Sequence, residues 1–246
     1  MDLPSWLRRV AAVEGAEARL ALWVELFRSV PPDRAARLLA GVVEAAARRA
    51  AGSVPAYLPL LRLEALSART GAGRMAAVLE AARALSLTAA EFVLEFHGPP
   101  VRGEELGPPP DPVLEEYSLG HRKTLARGPR NPLMERVLRD PDPRVVREVL
   151  RNPRVREDEV VAIASRRPCP EAVFRLVAES EAWIRRPAVQ RAIVRNPYAP
   201  PRLAVALLVL QPEGVLRDVA KEKGLHPAVR DGALEVIAWR SRSGQA

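Results

Sequence analysis

Residues 143–153 read Pro143-Arg-Val-Val-Arg-Glu-Val-Leu-Arg-Asn-Pro153, and the chain uses this stretch again. It returns as Pro187-Ala-Val-Gln-Arg-Ala-Ile-Val-Arg-Asn-Pro197 and, less completely, as Pro227-Ala-Val-Arg-Asp-Gly-Ala-Leu234. The copies begin 44 and 40 residues apart. Self-similarity at a spacing of roughly 20–50 residues is typical of a solenoid, in which short units stack on their neighbours.

Each copy predicts a short helix that turns one apolar stripe inward. Proline is tolerated in the first helical turn, where its missing N–H would have no partner. Val145 and Val149 then lie at i and i+4, with Leu150 beside them. The later copies repeat the stripe with Val189, Ile193, Val194, Val229, Ala233 and Leu234.

Asn-Pro pairs predict where the first two of these helices end. Asn152-Pro153 and Asn196-Pro197 follow the last apolar position, and a residue before proline is pushed out of the α region. Asparagine at such a position can also cap the helix that follows. The expected unit is therefore a short helix punctuated by proline on both sides.

These residues resemble HEAT and armadillo-like repeats, and the Asn-Pro punctuation is similar to that of the leucine-rich-repeat-variant proteins of bacteria. The resemblance covers roughly residues 120–240. It implies an α-solenoid and non-catalytic binding through an extended face. A few members of such families act on nucleic acid instead.

The composition predicts an all-α protein. Hydrophobic residues make up 48% of the chain and aromatic residues only 4%, so the core must consist of Ala, Leu and Val. We expect an N-terminal helical region at 1–97, a linker at 98–112 and the HEAT-like repeats at 113–246. The linker holds six prolines and three glycines in fifteen residues, which excludes a regular helix. It is interpreted as a semi-extended spacer or, alternatively, as a proline-rich ligand.

The N-terminal region predicts a bundle of about five helices. One apolar stripe is formed by Trp6, Leu7, Val10 and Val13, and a second by Leu20, Trp23, Phe27 and Val30. Gly15 marks a break between the two stripes. A leucine-rich helix is expected from about residue 56 to residue 68.

Positive charge is concentrated on the repeats. The net charge of the chain is +8, and residues 122–202 alone hold 19 basic and 10 acidic residues. If the copies stack in parallel, four arginines come into register and form a basic strip: Arg147, Arg151, Arg191 and Arg195. Further arginines would flank it, namely Arg154, Arg156, Arg166, Arg167, Arg185 and Arg186.

Three interpretations of this strip stay open. It is a solvated face whose arginines pair with nearby carboxylates, such as Arg144 with Glu148 or Arg175 with Glu179. It binds a partner protein with an acidic surface, or it binds the phosphates of nucleic acid. We expect a non-enzymatic scaffold for protein–protein interaction, with a nucleic-acid-binding module as the alternative. Aromatic residues for base stacking are few.

The sequence contains no catalytic, cofactor-binding or metal-binding pattern. His97, His121 and His226 are scattered, and no phosphate-binding glycine loop is present. We therefore expect no enzyme activity and no cofactor. The remote alternative is a DNA glycosylase built on HEAT-like repeats, which would require Trp183 or Trp239 beside a carboxylate in a basic groove.

Cysteine usage and hydropathy favour a cytoplasmic protein. The single Cys169, between two prolines, excludes an intrachain disulfide and is expected to be a small buried or half-buried residue rather than a nucleophile. No window has the length and hydropathy of a membrane span, and the N-terminus lacks a continuous apolar core of signal-peptide length.

Overall fold

The computed structural model describes residues 2–95 and 111–243, and every regular element in these ranges is helical. The prediction of an all-α protein is thus confirmed for the described residues. The predicted linker lies outside them except for Asp111 and Pro112. These two residues begin a helix, since the Asp111 carboxylate accepts hydrogen bonds from the backbone N–H groups of Val113 and Leu114.

Eighteen α-helices are assigned within these ranges. They are α1 Leu3–Ala11, α2 Ala16–Ser29, α3 Pro32–Ala47, α4 Ser53–Tyr57, α5 Leu63–Thr70, α6 Ala72–Ala84, α7 Thr88–Leu94, α8 Pro112–Glu115, α9 Leu119–Arg127, α10 Met134–Val137, α11 Pro143–Arg151, α12 Glu157–Ala164, α13 Glu171–Glu179, α14 Glu181–Ile184, α15 Pro187–Val194, α16 Pro201–Leu208, α17 Glu213–Lys221 and α18 Pro227–Ser243. A 3₁₀ helix, Leu58–Arg62, joins α4 to α5.

The described residues fall into two compact units. The first consists of 2–95, 201–223 and 227–243, and the second of 111–200 and 224–226. This division differs from the expected boundary, which grouped all of 113–246 as repeats. The reason is α16, whose residues Leu203 to Leu208 are all buried and which packs on α7, on the 3₁₀ helix and on α18.

The core of the first unit surrounds α3 and an aromatic cluster. Trp6 and Trp23 meet edge to face with ring centroids 5.2 Å apart, and Phe27 lies 5.3 Å from Trp23. The indole N–H of Trp23 donates to the carbonyl of Ala56 at 2.9 Å. The predicted break at Gly15 is confirmed, because this residue adopts a φ of +88° between α1 and α2.

Two local predictions for the first unit are wrong. The leucine-rich stretch from 56 to 68 is not one helix: Pro59, which has no N–H to donate, lies where the chain tightens into the 3₁₀ segment. In the third copy of the repeat, Val229 and Ala233 are buried as predicted, but Leu234 is 56% exposed. No Asn-Pro pair follows it, so α18 continues to Ser243.

In the second unit the first two copies form the predicted helices. Pro143 and Pro187 open α11 and α15, and these helices end at or just before the Asn-Pro pairs. The inward stripes are buried: Val145, Val149, Leu150, Val189, Ile193 and Val194. Helix α11 packs on α9 and on α13, and α15 packs on α12.

Asn152 and Asn196 have a function that differs from the predicted helix cap. The amide of Asn152 donates to the carbonyls of Ala126 and Gly128, at 2.8 and 2.9 Å. Asn196 repeats the arrangement on Ala164 and Arg166, at 2.9 and 2.8 Å. Each asparagine is buried, and its side-chain oxygen accepts from the backbone N–H two residues later. We call this arrangement the asparagine clasp.

The clasp ties the end of one helix to the end of an earlier one. Ala126 lies in the last turn of α9 and Ala164 is the last residue of α12, so their carbonyls would otherwise lack an intrahelical partner. The amide satisfies two such carbonyls at once. The C-terminal ends of α9 and α11 therefore meet at Asn152, and those of α12 and α15 meet at Asn196.

Candidate partner-binding surface

The four arginines of the predicted strip are all exposed in the second unit. Arg147 and Arg151 lie on α11, Arg191 lies on α15, and Arg195 follows its last residue. We call these four residues the arginine quartet. The two copies can be aligned on their clasp asparagines. Arg147 then corresponds to Arg191, five positions before the asparagine, and Arg151 corresponds to Arg195, one position before it. Their alignment into one strip stays a prediction.

Neighbouring charges on α9 and α11 are already paired. Arg127 contacts Glu148 through two hydrogen bonds of 2.8 Å, and Arg144 contacts Asp142 at 2.7 Å. The predicted pair of Arg144 with Glu148 is therefore wrong. Glu148 is buried, and the Arg127 guanidinium holds its pKa below the ordinary value. It follows that the carboxylate of Glu148 is already bound by α9.

Arg147 and Arg191 contrast with these pairs. Among the residues that the structure describes, neither guanidinium has a carboxylate within ion-pair distance. Both are exposed, at corresponding positions of two copies. The second helical pair that we predicted, Arg175 with Glu179, is also replaced: Arg175 contacts Glu171, one turn earlier.

The flanking arginines divide into three groups. Arg185 and Arg186 form long ion pairs with Glu181 and Glu157, at 3.7 and 3.6 Å, and Arg156 pairs with Asp158. Arg154 is exposed, and its side chain has no partner within the described ranges.

Arg166 and Arg167 instead donate to backbone carbonyls. Arg167 contacts the carbonyl of Arg195 at 2.5 Å, and Arg166 that of Asp140 at 2.9 Å. These two arginines of the predicted flank are therefore bound within the second unit.

Arg166 lines a cleft of about 620 Å³ on the second unit. Its other lining residues include Leu138, Arg139, Asp158, Ala162 and Pro168. Burial lowers the pKa of Arg166, since removal from water disfavours the charged guanidinium. Its Nε and Nη2 atoms are buried and have no hydrogen-bond acceptor in the described part of the chain. We call this concavity the Arg166 cleft.

The sequence analysis missed three buried carboxylates that form ion pairs with arginines of the second unit. Asp140, Glu148 and Glu159 are each buried and each bound by an arginine: Arg122 at 2.7 Å, Arg127 at 2.8 Å and Arg130 at 2.6 Å. For Glu148 a signal was present. It follows Val145 by three residues and directly precedes Val149, which places it on the buried side of α11.

The remaining candidate side chains show structural contacts. Cys169 is buried, as predicted, and burial raises the pKa of its thiol to about 11. The indole N–H of Trp183 donates to the carbonyl of Leu150 at 2.8 Å, and Trp239 is buried. His121 contacts Ser118 at 3.2 Å. Within 2–95 and 111–243 no group of His, Cys, Asp and Glu is arranged to hold a metal ion.

No protein-family model matches the chain, and comparison with curated proteins and with solved structures finds no match either. None of the helices in the described ranges has the length and hydropathy needed to cross a bilayer.

Proposed function

We propose that this protein is a non-enzymatic α-helical repeat scaffold that binds an acidic protein partner through the arginine quartet. The single observation that carries the proposal is the state of Arg147 and Arg191. They are exposed and lack a carboxylate among the described residues, while Arg127, Arg144 and Arg175 around them are paired. An exposed arginine without an internal partner is available to a partner's carboxylate, with which it can form two parallel hydrogen bonds.

The asparagine clasps support the repeat architecture in this proposal. In our proposal, α9 with α11 and α12 with α15 are two copies of one solenoid unit, each held together by its clasp. A unit of this size cannot bury its apolar face alone, so copies stack. Stacking would bring the quartet arginines of successive copies to the same face, where several weak ion pairs act together.

Nucleic acid is the competing partner, and the aromatic residues argue against a single strand. Phe174 is fully buried and Tyr198 nearly so, while Trp183 donates to Leu150. Single-strand binders need aromatic faces on which bases can stack. The quartet would then be limited to phosphate contacts, whose affinity falls steeply with salt.

The test compares a labelled polyglutamate with a labelled random duplex and a single-stranded oligonucleotide, by fluorescence anisotropy across a salt series. The quartet variant carries Arg147→Gln, Arg151→Gln, Arg191→Gln and Arg195→Gln. The matched control removes four exposed arginines that are paired in the first unit: Arg9→Gln, Arg48→Gln, Arg83→Gln and Arg217→Gln. Both variants lose the same net charge.

We expect the quartet variant to bind polyglutamate about tenfold more weakly or worse, since each exposed contact contributes about 0.2–1 kcal/mol. The control should stay within about threefold of the wild type. Equal losses of polyglutamate affinity in both variants would show that net charge alone causes the loss, and would overturn the proposal that the arginine quartet binds the partner. Tighter binding to duplex, with a slope of log K against log salt of about −0.9 per phosphate, would make nucleic acid the partner.

A further inference from the structure

We propose that the Arg166 cleft holds a carboxylate-bearing segment of the partner protein, with its carboxylate between Arg139 and Arg166 and an adjoining apolar side chain on Leu138 and Ala162. This inference rests on the proposed function, because it assumes that the partner is an acidic protein. It adds a second contact region to the arginine quartet and names the chemistry that the region recognises.

The guanidinium of Arg166 has no counter-ion within ion-pair distance among the described residues. Its Nη1 donates to the backbone carbonyl of Asp140, a neutral group, while Nε and Nη2 have no acceptor in the described part of the chain. The carboxylate whose charge acts on Arg166 is that of Asp140, which already binds Arg122 at 2.7 Å and the backbone N–H of Asp142 at 2.9 Å. The Nε and Nη2 atoms of Arg166 have almost no accessible surface, so an anion in the cleft would act on the guanidinium through its charge, and a negative charge nearby stabilises a cation that is removed from water.

Most of the acidic residues that line the Arg166 cleft are already bound by arginines outside it. Its acidic residues include Asp111, Asp158 and Glu159, and these bind Arg136, Arg156 and Arg130 respectively. Each of these ion pairs neutralises one carboxylate with an arginine that is not itself part of the cleft lining.

The remaining lining charges are three arginines and one acid. They are Arg139, Arg166, Arg167 and Glu135, and neither Arg139 nor Glu135 has an ion-pair partner among the described residues. Among the lining residues that have no ion-pair partner outside the cleft, positive charges therefore outnumber negative ones.

The lining also selects the kind of anion. Leu138, Ala162 and Pro168 offer apolar surface next to the arginines. A volume of about 620 Å³ lies within the range of about 300–1,000 Å³ typical of ligand sites, so it admits a few side chains. A peptide with alternating acidic and apolar residues fits these features better than a nucleic acid strand.

The probe is a fluorescein-labelled peptide of alternating leucine and glutamate, with an alternating leucine and glutamine peptide as its uncharged match. The test variant is Arg139→Gln, which changes an exposed side chain and leaves Arg166 in place. Arg37→Gln is the matched control, because Arg37 is also exposed and has no ion-pair partner among the described residues. It lies on α3 in the first unit. The quartet variant is measured alongside.

We expect the glutamate peptide to bind, the glutamine peptide to bind at least about tenfold more weakly, and Arg139→Gln to weaken binding at least about fivefold. Arg37→Gln should leave it unchanged. In ¹⁵N spectra of the arginine side chains, the Nε–H signal of Arg166, assigned with Arg166→Lys, should shift on addition of the glutamate peptide. A purely structural Arg166 would show no such shift.

Three results would overturn the inference: no binding of the glutamate peptide, equal effects of Arg139→Gln and Arg37→Gln, or an unshifted Arg166 signal at saturation. The quartet variant separates this inference from the proposed function. Loss of binding in the quartet variant with full binding in Arg139→Gln refutes the cleft alone. Loss of binding in Arg139→Gln with full binding in the quartet variant supports the cleft as a binding site and refutes the arginine quartet as one.

Discussion

The hydroxyl of Tyr57 donates a hydrogen bond of 2.6 Å to the carbonyl oxygen of Ala206, which lies 149 residues later in the chain. Tyr57 is fully buried, and burial raises the pKa of its hydroxyl far above the ordinary value. Ala206 lies in the last turn of α16, where a carbonyl has no intrahelical partner. This buried hydrogen bond therefore joins α4 to α16 within the first unit, in addition to the packing of α16 on α7 and on the 3₁₀ helix.

Tyr57→Phe removes this hydroxyl and leaves the Ala206 carbonyl buried without its donor. We expect the free energy of unfolding to fall by about 1–2 kcal/mol, measured by urea denaturation. Tyr117→Phe is the matched control, because the Tyr117 hydroxyl has no hydrogen-bond partner among the described residues. A loss in Tyr57→Phe no larger than in the control would contradict the contact.

Asn196→Ala removes a complete asparagine clasp. It leaves two carbonyls and the backbone N–H of Tyr198 without their partner, so the free energy of unfolding should fall by about 2–4 kcal/mol. Asn152→Ala should have an effect of similar size, since its contacts are the same. Asn131→Ala is the control: its side-chain oxygen also accepts from the backbone N–H two residues later, that of Leu133, but its amide N–H donates only to the nearby Pro129 carbonyl and reaches no earlier helix. Equal losses in all three variants would refute a special function of the clasp.

Arg127→Gln should raise the pKa of Glu148. The hydrogen bonds from Arg127 are the largest cause that holds this pKa below its ordinary value of 4.5, followed by the charges of Lys123 and Arg151. A lowered pKa means that the stabilisation is complete above the unfolded value and is lost as the pH falls through the folded one. Carboxyl ¹³C titration by NMR measures it. Arg175→Gln, which removes the partner of Glu171, should leave Glu148 unchanged.

The thiol of Cys169 should make the protein less stable in alkali. Its pKa is about 11 in the fold and 9.0 ordinarily, so the unfolded chain loses this proton first. The free energy of unfolding should therefore fall, by about 1–2 kcal/mol between about pH 8 and pH 10.5. The alkaline loss of the free energy of unfolding is compared with that of Cys169→Ala, which has no thiol at this position. Buried Tyr57 also titrates in alkali, but it contributes equally to both proteins. The same alkaline loss in both proteins would contradict the assignment.

Local features of the sequence predicted local structure well. Pro143 and Pro187 open helices, and the stripes of Val145 and Val189 are buried, because proline geometry and helical periodicity act over a few residues. The end of the third copy was mispredicted for the same kind of reason. Without an Asn-Pro pair after Leu234, α18 continues to Ser243, and its apolar face turns away from Leu234.

Partners distant in sequence were not predictable from spacing. Sequence rules favour helical pairs such as Arg144 with Glu148, yet Glu148 binds Arg127 from another helix, 21 residues away. Arg240 likewise donates to carbonyls far away in the sequence, those of Val209 and Gln211, at 2.7 and 2.8 Å. Such contacts arise from packing, so counting arginines overestimated the charge that is available to a partner.

The proline after each clasp asparagine has a chemical consequence for the lifetime of the protein. Asparagine deamidates when the backbone nitrogen of the next residue loses its proton and attacks the side-chain amide to form a succinimide. Pro153 and Pro197 have no proton on that nitrogen, so this route is closed at Asn152 and Asn196. An aspartate there would place a negative oxygen against two carbonyls. The residue that ends each helix thus also protects the clasp from ageing.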